Sequence, residues 1–424
     1  MVPLFAILAL FTTYDPLNVI PFCGIWISSR IDNPIMAAST WTAVHWFRIS
    51  GVAATIHPTD SRDTALGWTA LLLVAVASLF LAIAWSAVDA NRNHDRSFAI
   101  WSRYILRLAL ALVMIRYGVF KIFPLQMSRP SLAVLNEPLG QTSPMTLLWT
   151  LVGLSPAYQI SSGILEAMSG FLLLFKRTAL VGALLGFIVM AHVTLLNLCF
   201  DVPVKQGALL ISLALIVVIA PDIPTLLRFF LRHAGAELST FWEPQWHGQS
   251  SRNIARALQT VYVLCLAYYF VPPAYSAARQ EAASRRTPSS LTGGWEVEAA
   301  PIFRNGQSSD APVLTAEGLP MTAIYFEPDG RVMARSSDGR LWRAGAIVDL
   351  NHETVSLYSG YFDGARFDGT YTYNAVDRDH MRLEPQGEDK AAHSTLLLAR
   401  IPEPRDYPLL QTPFRWVHEW AVER

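Results

Sequence analysis

The sequence has few charged residues. Asp, Glu, Lys and Arg make up 16% of the 424 residues, whereas a soluble protein usually carries about 25%. The shortage lies in residues 1–275, while residues 276–424 have the composition of an ordinary soluble domain. Net charge is zero and no basic patch is interleaved with aromatic residues, so we expect no nucleic-acid partner. The contrast predicts a membrane domain followed by a water-exposed domain.

Cysteine is also scarce, at three residues. Cys23, Cys199 and Cys265 have the spacing of neither a metal site nor a haem site, and three are too few for a disulfide scaffold. We therefore predict no metal site. The sequence also lacks the Walker, G-x-G-x-x-G, H-E-x-x-H and G-x-S-x-G motifs, so no enzyme class defined by them is indicated.

Long apolar runs dominate residues 1–275. A helix needs roughly 20 apolar residues to cross about 30 Å of hydrocarbon. The first run lacks the basic residues of a signal peptide, which favours a membrane span. About seven segments predict a polytopic α-helical membrane bundle: Val2–Phe11, Gly67–Val88, Ile100–Phe123, Ser155–Phe175, Thr178–Phe200, Gly207–Pro221 and Ala257–Val271.

Seven crossings place the two ends of the chain on opposite sides of a membrane. The basic residues of the short connections then share one face: Arg92, Arg96, Lys176, Arg177, Arg228, Arg232, Arg252 and Arg256. Lys and Arg concentrate on the cytoplasmic side of membrane proteins. We therefore predict a cytoplasmic amino terminus and an extracytoplasmic carboxyl-terminal domain.

The hydrophobic period changes after a polar linker at residues 276–293. In residues 294–424, short apolar segments alternate with turn sequences such as Pro328-Asp329-Gly330 and Asp363-Gly364. This pattern predicts an all-β antiparallel meander of about eight strands, most simply a small closed barrel. The tail from Phe414 to Arg424 can cover this barrel or rest on lipid headgroups, where tryptophan is favoured.

Ionisable side chains lie inside several predicted spans. Each costs about 2.5–3.5 kcal/mol or more unless it has a partner or a wet cavity. Glu166 is the one carboxylate in the four clearest spans, and its candidate partners lie on Ile100–Phe123: Arg103, Arg107, Arg116 and Lys121. Arg107 and Arg116 lie on either side of the midpoint of that helix. They are nine residues apart, so they point to opposite faces of a helix. Arg107 instead shares a face with Lys121. Only one arginine can face Glu166, and we favour Arg116.

A histidine accompanies these charges. His192 lies close in depth to Arg116 and about 7 Å along the helix axis from Glu166, a gap that water or a ligand can bridge. Small residues around Gly163 and the Gly182-xxx-Gly186 motif predict close approach of the helices. The pattern favours a polar pocket in the outer half of the bundle. The alternative for His192 is a hydrogen bond to a neighbouring hydroxyl.

Two charges flank the turn after this span. Asp201 follows the carboxyl end of one helix and Lys205 precedes the amino end of the next, the reverse of what helix macrodipoles prefer. Each therefore needs a counter-charge, either the other residue or a group such as Lys121. They form either a charged mouth over the pocket or an interfacial salt bridge worth under about 1 kcal/mol. We place Tyr117 and Asn197 in the same candidate pocket.

The two cysteines nearest this mouth allow a redox alternative. Cys199 lies seven residues after His192, on nearly the same helix face and at the outer surface. Cys23 is expected near the same surface. A disulfide or redox pair between Cys23 and Cys199 is therefore an alternative to plain packing, although the sequence gives no distance between them.

Three segments carry a resemblance to a known family. "RYGVFKIFPLQM", "PSLAVLNEPLGQTSPMTLLWTLVGLSPAYQISSGILEAMSGFLLLFKRTALVGALL" and "LNLCFDVPVK" resemble the DoxX family of bacterial membrane proteins over about residues 103–230. The resemblance implies a compact four-helix core at about residues 98–232, in a bacterial inner membrane. It carries over no catalytic residue, but the matching segments contain Tyr117, Lys121, Glu166 and Asp201.

The carboxyl-terminal domain adds to this resemblance. "DLNHETVSLYS", "GTYTYNAVDRDHMRLE" and "YPLLQTPFRWVHEW" are similar to the extracytoplasmic, lipocalin-like extension of a longer DoxX subgroup. Some relatives are subunits of thiosulfate:quinone oxidoreductases, and others associate with thiol or oxidative-stress machinery. The extra helices and the barrel separate this chain from minimal members, so the resemblance does not imply thiosulfate activity.

Two functional hypotheses follow. The first is a redox-associated inner-membrane protein that binds a quinone or another small apolar ligand in the outer-leaflet pocket, on its own or as a subunit of a quinone-linked oxidoreductase. The second is a non-enzymatic carrier or assembly factor, whose β-domain binds a lipid or a periplasmic partner. A transporter is a third interpretation, but no inverted repeat or pair of broken helices supports it.

Overall fold

The chain forms two compact units in the computed structural model. The first comprises Met1–Gln126 and Ala157–Tyr275, and the second comprises Met127–Pro156 and Ser276–Arg424. The structure describes residues 2–14, 24–50, 63–88, 95–232, 244, 248–286, 290–298, 302–304, 307–309, 320–328, 331–349, 352–359, 366–386, 395–402 and 407–410. Cys23, the Asp363-Gly364 turn and the tail after Leu410 lie outside these residues.

Helices fill the described part of residues 1–286. In chain order they are α1 Val2–Tyr14, α2 Gly24–His45, α3 Ala65–Val88, α4 Asp95–Ile122, α5 Leu132–Leu135, α6 Pro144–Leu154, α7 Pro156–Leu174, α8 Ala179–Cys199, α9 Lys205–Ile219, α10 Ile223–Arg232 and α11 Gln249–Arg286. A 3₁₀ turn, Ala220–Asp222, joins α9 to α10. The predicted succession of apolar helices and then an antiparallel β domain is confirmed.

Five helical stretches are long and apolar enough to cross a membrane: Ala65–Val88, Arg96–Ile122, Ala179–Cys199, Lys205–Arg232 and Gln249–Arg285. Helices occupy all seven predicted segments, but α1 and α7 are not among these five. Helix α1 has 13 residues, about 20 Å at 1.5 Å per residue. Helix α7 carries Gln159, Ser161, Ser162 and Glu166, which lower its mean hydropathy. Seven crossings stay a prediction.

Close backbone contacts at two glycines of α7 show the direction of this helix relative to α4. A Cβ on Gly163 would lie 2.7 Å from the carbonyl oxygen of Gly118, and one on Gly170 would lie 2.7 Å from that of Ala111. Residue numbers therefore rise along α7 as they fall along α4, so the two helices are antiparallel. Their backbones come this close because no side chain separates them, as the small residues of α7 predicted.

Contacts with α11 show that it runs parallel to α4. The Tyr262 hydroxyl donates to the Leu108 carbonyl at 3.0 Å. Further along both helices, the rings of Tyr275 and Phe123 lie 6.2 Å apart, edge to face. The end of α4, the start of α7 and residue Tyr275 of α11 therefore lie at the same end of the first unit.

The same end holds the termini of three more helices. The Tyr14 hydroxyl, at the end of α1, lies against the backbone of Gly207 near the start of α9. The Gln206 side chain donates to the Gly67 carbonyl at the start of α3, at 3.1 Å. The Tyr14 ring also contacts Tyr117 of α4, with centroids 5.9 Å apart. This layer of polar side chains lies at the end of the bundle that the sequence predicts to be the outer one.

Residues 127–156 group with the β domain and not with the helical unit, although the sequence assigned them to the membrane domain. Two backbone amides of α5, those of Leu132 and Ala133, donate to the Glu327 carboxylate at 3.0 and 3.3 Å. The Arg335 guanidinium donates to the Asn136 carbonyl at 2.8 Å. The first two bonds satisfy amides at the start of α5, and the third satisfies a carbonyl at its end, where the helix itself offers no partner.

Helix α11 continues into the predicted linker. It runs for 38 residues and contains Pro272 and Pro273. Residues 276–286 of the predicted linker are therefore helical, and β1 begins at Gly293.

The β domain contains ten described strands: β1 Gly293–Glu298, β2 Ile302–Arg304, β3 Gln307–Ser309, β4 Met321–Phe326, β5 Arg331–Ser336, β6 Leu341–Asp349, β7 Thr354–Ser359, β8 Arg366–Ala375, β9 His380–Pro385 and β10 Leu396–Arg400. Strands β4 to β10 follow each other as antiparallel neighbours, and β1 pairs with both β10 and β4. The sheet thus closes into a barrel of eight strands. Strands β2 and β3 form a separate hairpin.

Alternating side chains of the strands form two apolar clusters. Trp295, Ile324, Phe326 and Leu398 belong to the larger cluster. Ala323 and Tyr325, the other face of β4, pack with Ala133 of α5. Because α5 covers this outer face, β4 is buried on both sides. An eight-stranded barrel either fills its interior with side chains or holds one small ligand, so a lipid-binding β-domain stays a prediction.

Candidate functional site

An ion pair is buried between α4 and α7. The Lys121 ammonium donates to Oε1 of Glu166, and the two side chains are 7% and 2% exposed. Both charges avoid the cost of an isolated charge in an apolar interior because they neutralise each other. Lys121 lies in the last turn of α4, and Glu166 lies near the middle of α7.

The pair sits beside the closest approach of the two helices. A Cβ on Gly163 would lie 2.7 Å from the Lys121 Cβ, and one on Gly118 would lie 2.5 Å from the amide nitrogen of Ala167. Glycine at these two positions therefore lets the stem of Lys121 reach Glu166, which is three residues beyond Gly163. The charge pair and the glycine contact form one structural feature.

Glu166 retains unused hydrogen-bonding capacity. Its Oε2 atom is buried and has no hydrogen-bond partner within the described residues. Leaving a buried acceptor unsatisfied costs about 1–3 kcal/mol, and more for a charged group. An ionised carboxylate only accepts hydrogen bonds, so this atom is suited to a donor such as a ligand hydroxyl.

Two tyrosines lie next to the pair. Tyr117, one turn before Lys121 on α4, lies within electrostatic range of Glu166 and exchanges a hydrogen bond with the Tyr14 side chain. Tyr14 is a part of this cluster that the sequence did not single out. It lies at the end of a short apolar helix, and only the fold places it beside Tyr117. The hydroxyls extend the polar surface from Glu166 towards the start of α9.

Neither Arg116 nor His192 pairs with Glu166 among the described residues, although Arg116 lies within electrostatic range of Tyr14 and Tyr117. Arg116 and His192 are both exposed on the surface of the helical unit, so the expected pairing of Arg116 with Glu166 is replaced by that of Lys121. Five residues separate Arg116 from Lys121, which turns the two side chains about 140° apart on one helix. Arg107, which shares the Lys121 face, is fully buried.

The remaining candidate pocket residues lie on α8, at Asn197, and at the turn between α8 and α9, at Asp201 and Lys205. Asn197 is buried between α8 and its neighbours, near the hydrogen bond of 3.1 Å between Thr194 and Ser212. Asp201 and Lys205 pair with each other at 2.6 Å, with Asp201 largely exposed. Of the two alternatives for these charges, the structure shows the surface salt bridge across the turn.

The start of α9 is held by a residue that the sequence did not indicate. The Asp63 carboxylate accepts hydrogen bonds from the backbone amides of Lys205 and Gln206, the second at 2.7 Å. A carboxylate at a helix amino terminus satisfies free amides and complements the helix dipole. Asp63 lies just before α3, so this contact fastens the starts of α3 and α9 together.

A second buried ion pair lies at the opposite end of α4. Arg103 donates to the Asp222 carboxylate and, through Nε, to the Val218 carbonyl at 2.9 Å. The guanidinium of Arg107 lies 5.2 Å from the ring centroid of Tyr104. Asp222 was not a predicted site residue; its one signal is its position directly after Pro221, at the end of an apolar run. The sequence gives no distance that would join it to Arg103.

Cysteine and metal chemistry receive no support from the described residues. Cys199 is an exposed free thiol at the end of α8, and Cys265 is a free thiol on α11. Cys23 lies outside the described residues, so its predicted pairing with Cys199 stays a prediction. Within the described part of the chain, no group of three or more His, Cys, Asp or Glu side chains has the arrangement of a metal site.

Comparison with known proteins gives one short similarity. No protein-family model matches the chain, and no solved structure matches it. Over 77 residues it is 30% identical to the "Uncharacterized protein YwoB" of Bacillus subtilis (strain 168), a match that covers 18% of this chain and 50% of YwoB. The chain thus spans about half the length of the curated relative that it matches. The long apolar helices of this chain are compatible with a multi-pass membrane protein.

Proposed function

We propose that this chain is a redox-associated, DoxX-like protein of the bacterial inner membrane, and that it binds a quinone or another small apolar ligand at the Lys121–Glu166 pair. The observation that carries the proposal is the buried Oε2 atom of Glu166, which has no partner within the described residues. The Lys121 and Glu166 side chains are buried between two predominantly apolar helices, which suits a mostly apolar ligand with a small polar head.

The residues offer both kinds of hydrogen bond that such a head group needs. Glu166 Oε2 accepts a bond from a hydroxyl, while Lys121 and Tyr117 are donors to a carbonyl oxygen. A quinone supplies, when bound, a couple that takes up two electrons and two protons. Glu166 would hold the hydroxyl of its reduced form, and Lys121 would neutralise the charge of Glu166 throughout.

The course of the chain supports the proposed orientation. The chain leaves the helical unit after Gln126 and after Tyr275, and it re-enters the unit at Ala157. The contacts of α7 and α11 with α4 place these three points at the same end of the helical unit. Both parts of the second unit thus emerge on the same side of a membrane. The concentration of basic residues in the short connections supports a periplasmic location for that side.

Quinone content tests the proposed site. The full-length protein, purified in a mild detergent, should retain quinone detectable by mass spectrometry after organic extraction. Glu166→Gln should lower the amount per protein about tenfold or more, because a hydrogen bond to a charged group is lost. Asp201→Asn is the matched control, since it removes an exposed carboxylate near the same end and should leave the quinone content unchanged.

Two results would count against the proposal. One is a quinone content of the wild-type protein no higher than that of an unrelated membrane protein from the same cells. The other is equal retention by Glu166→Gln and the wild type. Size-exclusion chromatography and circular dichroism establish that each variant is folded before its quinone is measured.

A further inference from the structure

Helix α6 is an apolar helix that belongs to the β unit. It has 11 residues, PMTLLWTLVGL, from Pro144 to Leu154. Ser143 caps its amino end, because the Ser143 side chain accepts a hydrogen bond from the Thr146 amide at 3.1 Å. Such a helix is about 16 Å long, half of what crossing the hydrocarbon requires. An apolar helix of this length is instead typical of a buried core helix, a re-entrant segment or an interfacial segment.

One face of α6 is covered and another is open. Leu148 and Gly153 are buried, and Gly153 approaches the backbone of Ser128 so closely that a Cβ would clash with the Ser128 carbonyl. Leu147 and Leu151, four residues apart and therefore on one face, are 43% and 66% exposed. A core helix would bury these leucines, so the first of the three interpretations does not apply.

The position of α6 along the chain indicates what covers this face. It ends at Leu154, one residue before α7 begins at Pro156. Helix α7 contacts α4 along its length, and α4 is one of the apolar membrane-crossing stretches. The carboxyl end of α6 is therefore linked through a single residue, Ser155, to a helix that packs against an apolar membrane-crossing stretch.

The composition around α6 also favours lipid over water. The chain has no charged residue between Glu137 and Glu166. Leu139, just before α6, is 73% exposed. A surface meant for water or for a transient protein partner has a polar rim, whereas the face of a helix that enters the acyl boundary of a lipid layer carries leucine or an aromatic residue.

We propose that α6 lies flat in the headgroup region of the membrane, with Leu147 and Leu151 inserted into the acyl boundary, and that it docks the β unit onto the lipid surface. A re-entrant path is disfavoured because Gly153 is already packed against the backbone of Ser128, in the second unit. The inference does not depend on any ligand at Lys121 and Glu166.

Spin-label accessibility tests the lipid contact. The three native cysteines are replaced by serine, and single cysteines are introduced at Leu147, Leu151 and Val376 for nitroxide labelling. Val376 is the matched control, an aliphatic side chain 56% exposed in the β8–β9 turn beside Asp377 and Arg378. The full-length protein is reconstituted into nanodiscs of phosphatidylethanolamine and phosphatidylglycerol. Power saturation is then measured with oxygen and with a water-soluble nickel chelate.

Lipid insertion gives a distinct result. Labels at Leu147→Cys and Leu151→Cys should collide often with oxygen and rarely with nickel, while the Val376→Cys label should show the reverse. Two outcomes overturn the proposal: nickel accessibility at residue 151 equal to that at residue 376, which means water, or low accessibility to both reagents, which means burial against protein. Measuring both leucine positions keeps the test valid if one variant does not fold.

Discussion

Lys121 and Glu166 form a buried ion pair at the point where α4 and α7 come closest. The two residues are held in place differently. Lys121 extends from a helix end that is already packed against the Gly163 backbone, whereas Glu166 has one oxygen engaged and one free within the described residues. The arrangement is stable only while both charges are present, because either charge alone would remain in an apolar interior.

Removing one partner should therefore cost far more than removing both. We expect Lys121→Met to destabilise the protein by about 3–5 kcal/mol, since it leaves the Glu166 carboxylate uncompensated. The double variant Lys121→Met/Glu166→Gln should recover most of that loss. Thermal unfolding of the detergent-solubilised protein, followed by circular dichroism, measures the difference.

The exposed pair at the α8–α9 turn is the control for this experiment. Lys205→Met breaks an ion pair of 2.6 Å whose aspartate is 85% exposed, and such surface pairs contribute at most about 1 kcal/mol. Equal losses of stability for Lys121→Met and Lys205→Met would mean that the buried pair is solvated. Additive effects of the two single substitutions in the double variant would mean that the charges do not interact.

The glycine contact between α4 and α7 gives a second prediction. Gly118→Ala places a Cβ 2.5 Å from the Ala167 nitrogen and 2.7 Å from the Gly163 oxygen, far inside the ~3.5 Å of ordinary contact. The helices must separate, so we expect a loss of about 1–3 kcal/mol together with loss of the bound quinone. The melting temperature and the extracted quinone are the two measurements.

A glycine without neighbours is the matched control for this substitution. Gly140 has nothing within 4 Å of its Cβ position, so Gly140→Ala should leave both the melting temperature and the quinone content unchanged. If Gly118→Ala behaves in the same way, the helices have room to adjust and the close contact does not hold the site together.

The sequence predicted the elements of this site better than their pairing. Long apolar runs predicted α3, α4 and α8, because lipid exposure leaves a local pattern. Alternating apolar residues between turn sequences predicted the β strands. Glu166 was singled out because a carboxylate inside an apolar helix is rare. The small residues of α7 likewise predicted its close contact with α4.

The choice of partner could not be made from the sequence. Arg116 was favoured by depth, but the rotation of α4 about its axis decides which side chain faces α7, and that rotation is set by packing against several helices at once. The same limit applies to Arg103 and Asp222, which are 119 residues apart in the chain. The contacts that group residues 127–156 with the β domain likewise leave no local pattern in the sequence.

Asp63 provides a third prediction, with a local readout. Asp63→Ala removes the acceptor for the amides of Lys205 and Gln206, so the first turn of α9 should fray. The loss of a helix cap costs about 0.5–2 kcal/mol. Hydrogen–deuterium exchange of a peptide containing residues 205–208 should become faster, while exchange in the middle of α9 should not change. Exchange as slow as in the wild type would mean that water or another residue replaces Asp63.

The last prediction concerns the β domain, where pH should change one turn. His380 and Asp377 are hydrogen-bonded at 2.9 Å in the β8–β9 turn. The hydrogen bond and the charge of Asp377 raise the pKa of His380 above its usual 6.5. Backbone amides, that of Asp379 first, and the His380 side chain lower the pKa of Asp377 below 3.8.

These shifts determine the direction of the pH dependence. Because the pKa of His380 is raised in the folded chain, its contribution to stability is complete below about pH 6.5 and is lost as the pH rises through the folded pKa. Asp377 has the opposite sign, so its contribution is complete above about pH 4 and is lost as the pH falls through its lowered pKa. The turn should therefore be most stable between about pH 4 and 6.5.

Nuclear magnetic resonance of ¹³C-labelled histidine in the full-length, micelle-bound protein tests this pair. The His380 resonance, assigned with His380→Gln, should titrate above pH 6.5 in the wild type, and its midpoint should fall towards 6.5 in Asp377→Asn because hydrogen bond and charge are both lost. Asp379→Asn is the control: its charge has a smaller effect on His380 than that of Asp377, so the midpoint should fall less. An identical midpoint in the wild type and Asp377→Asn would show that the carboxylate does not hold the imidazole in solution.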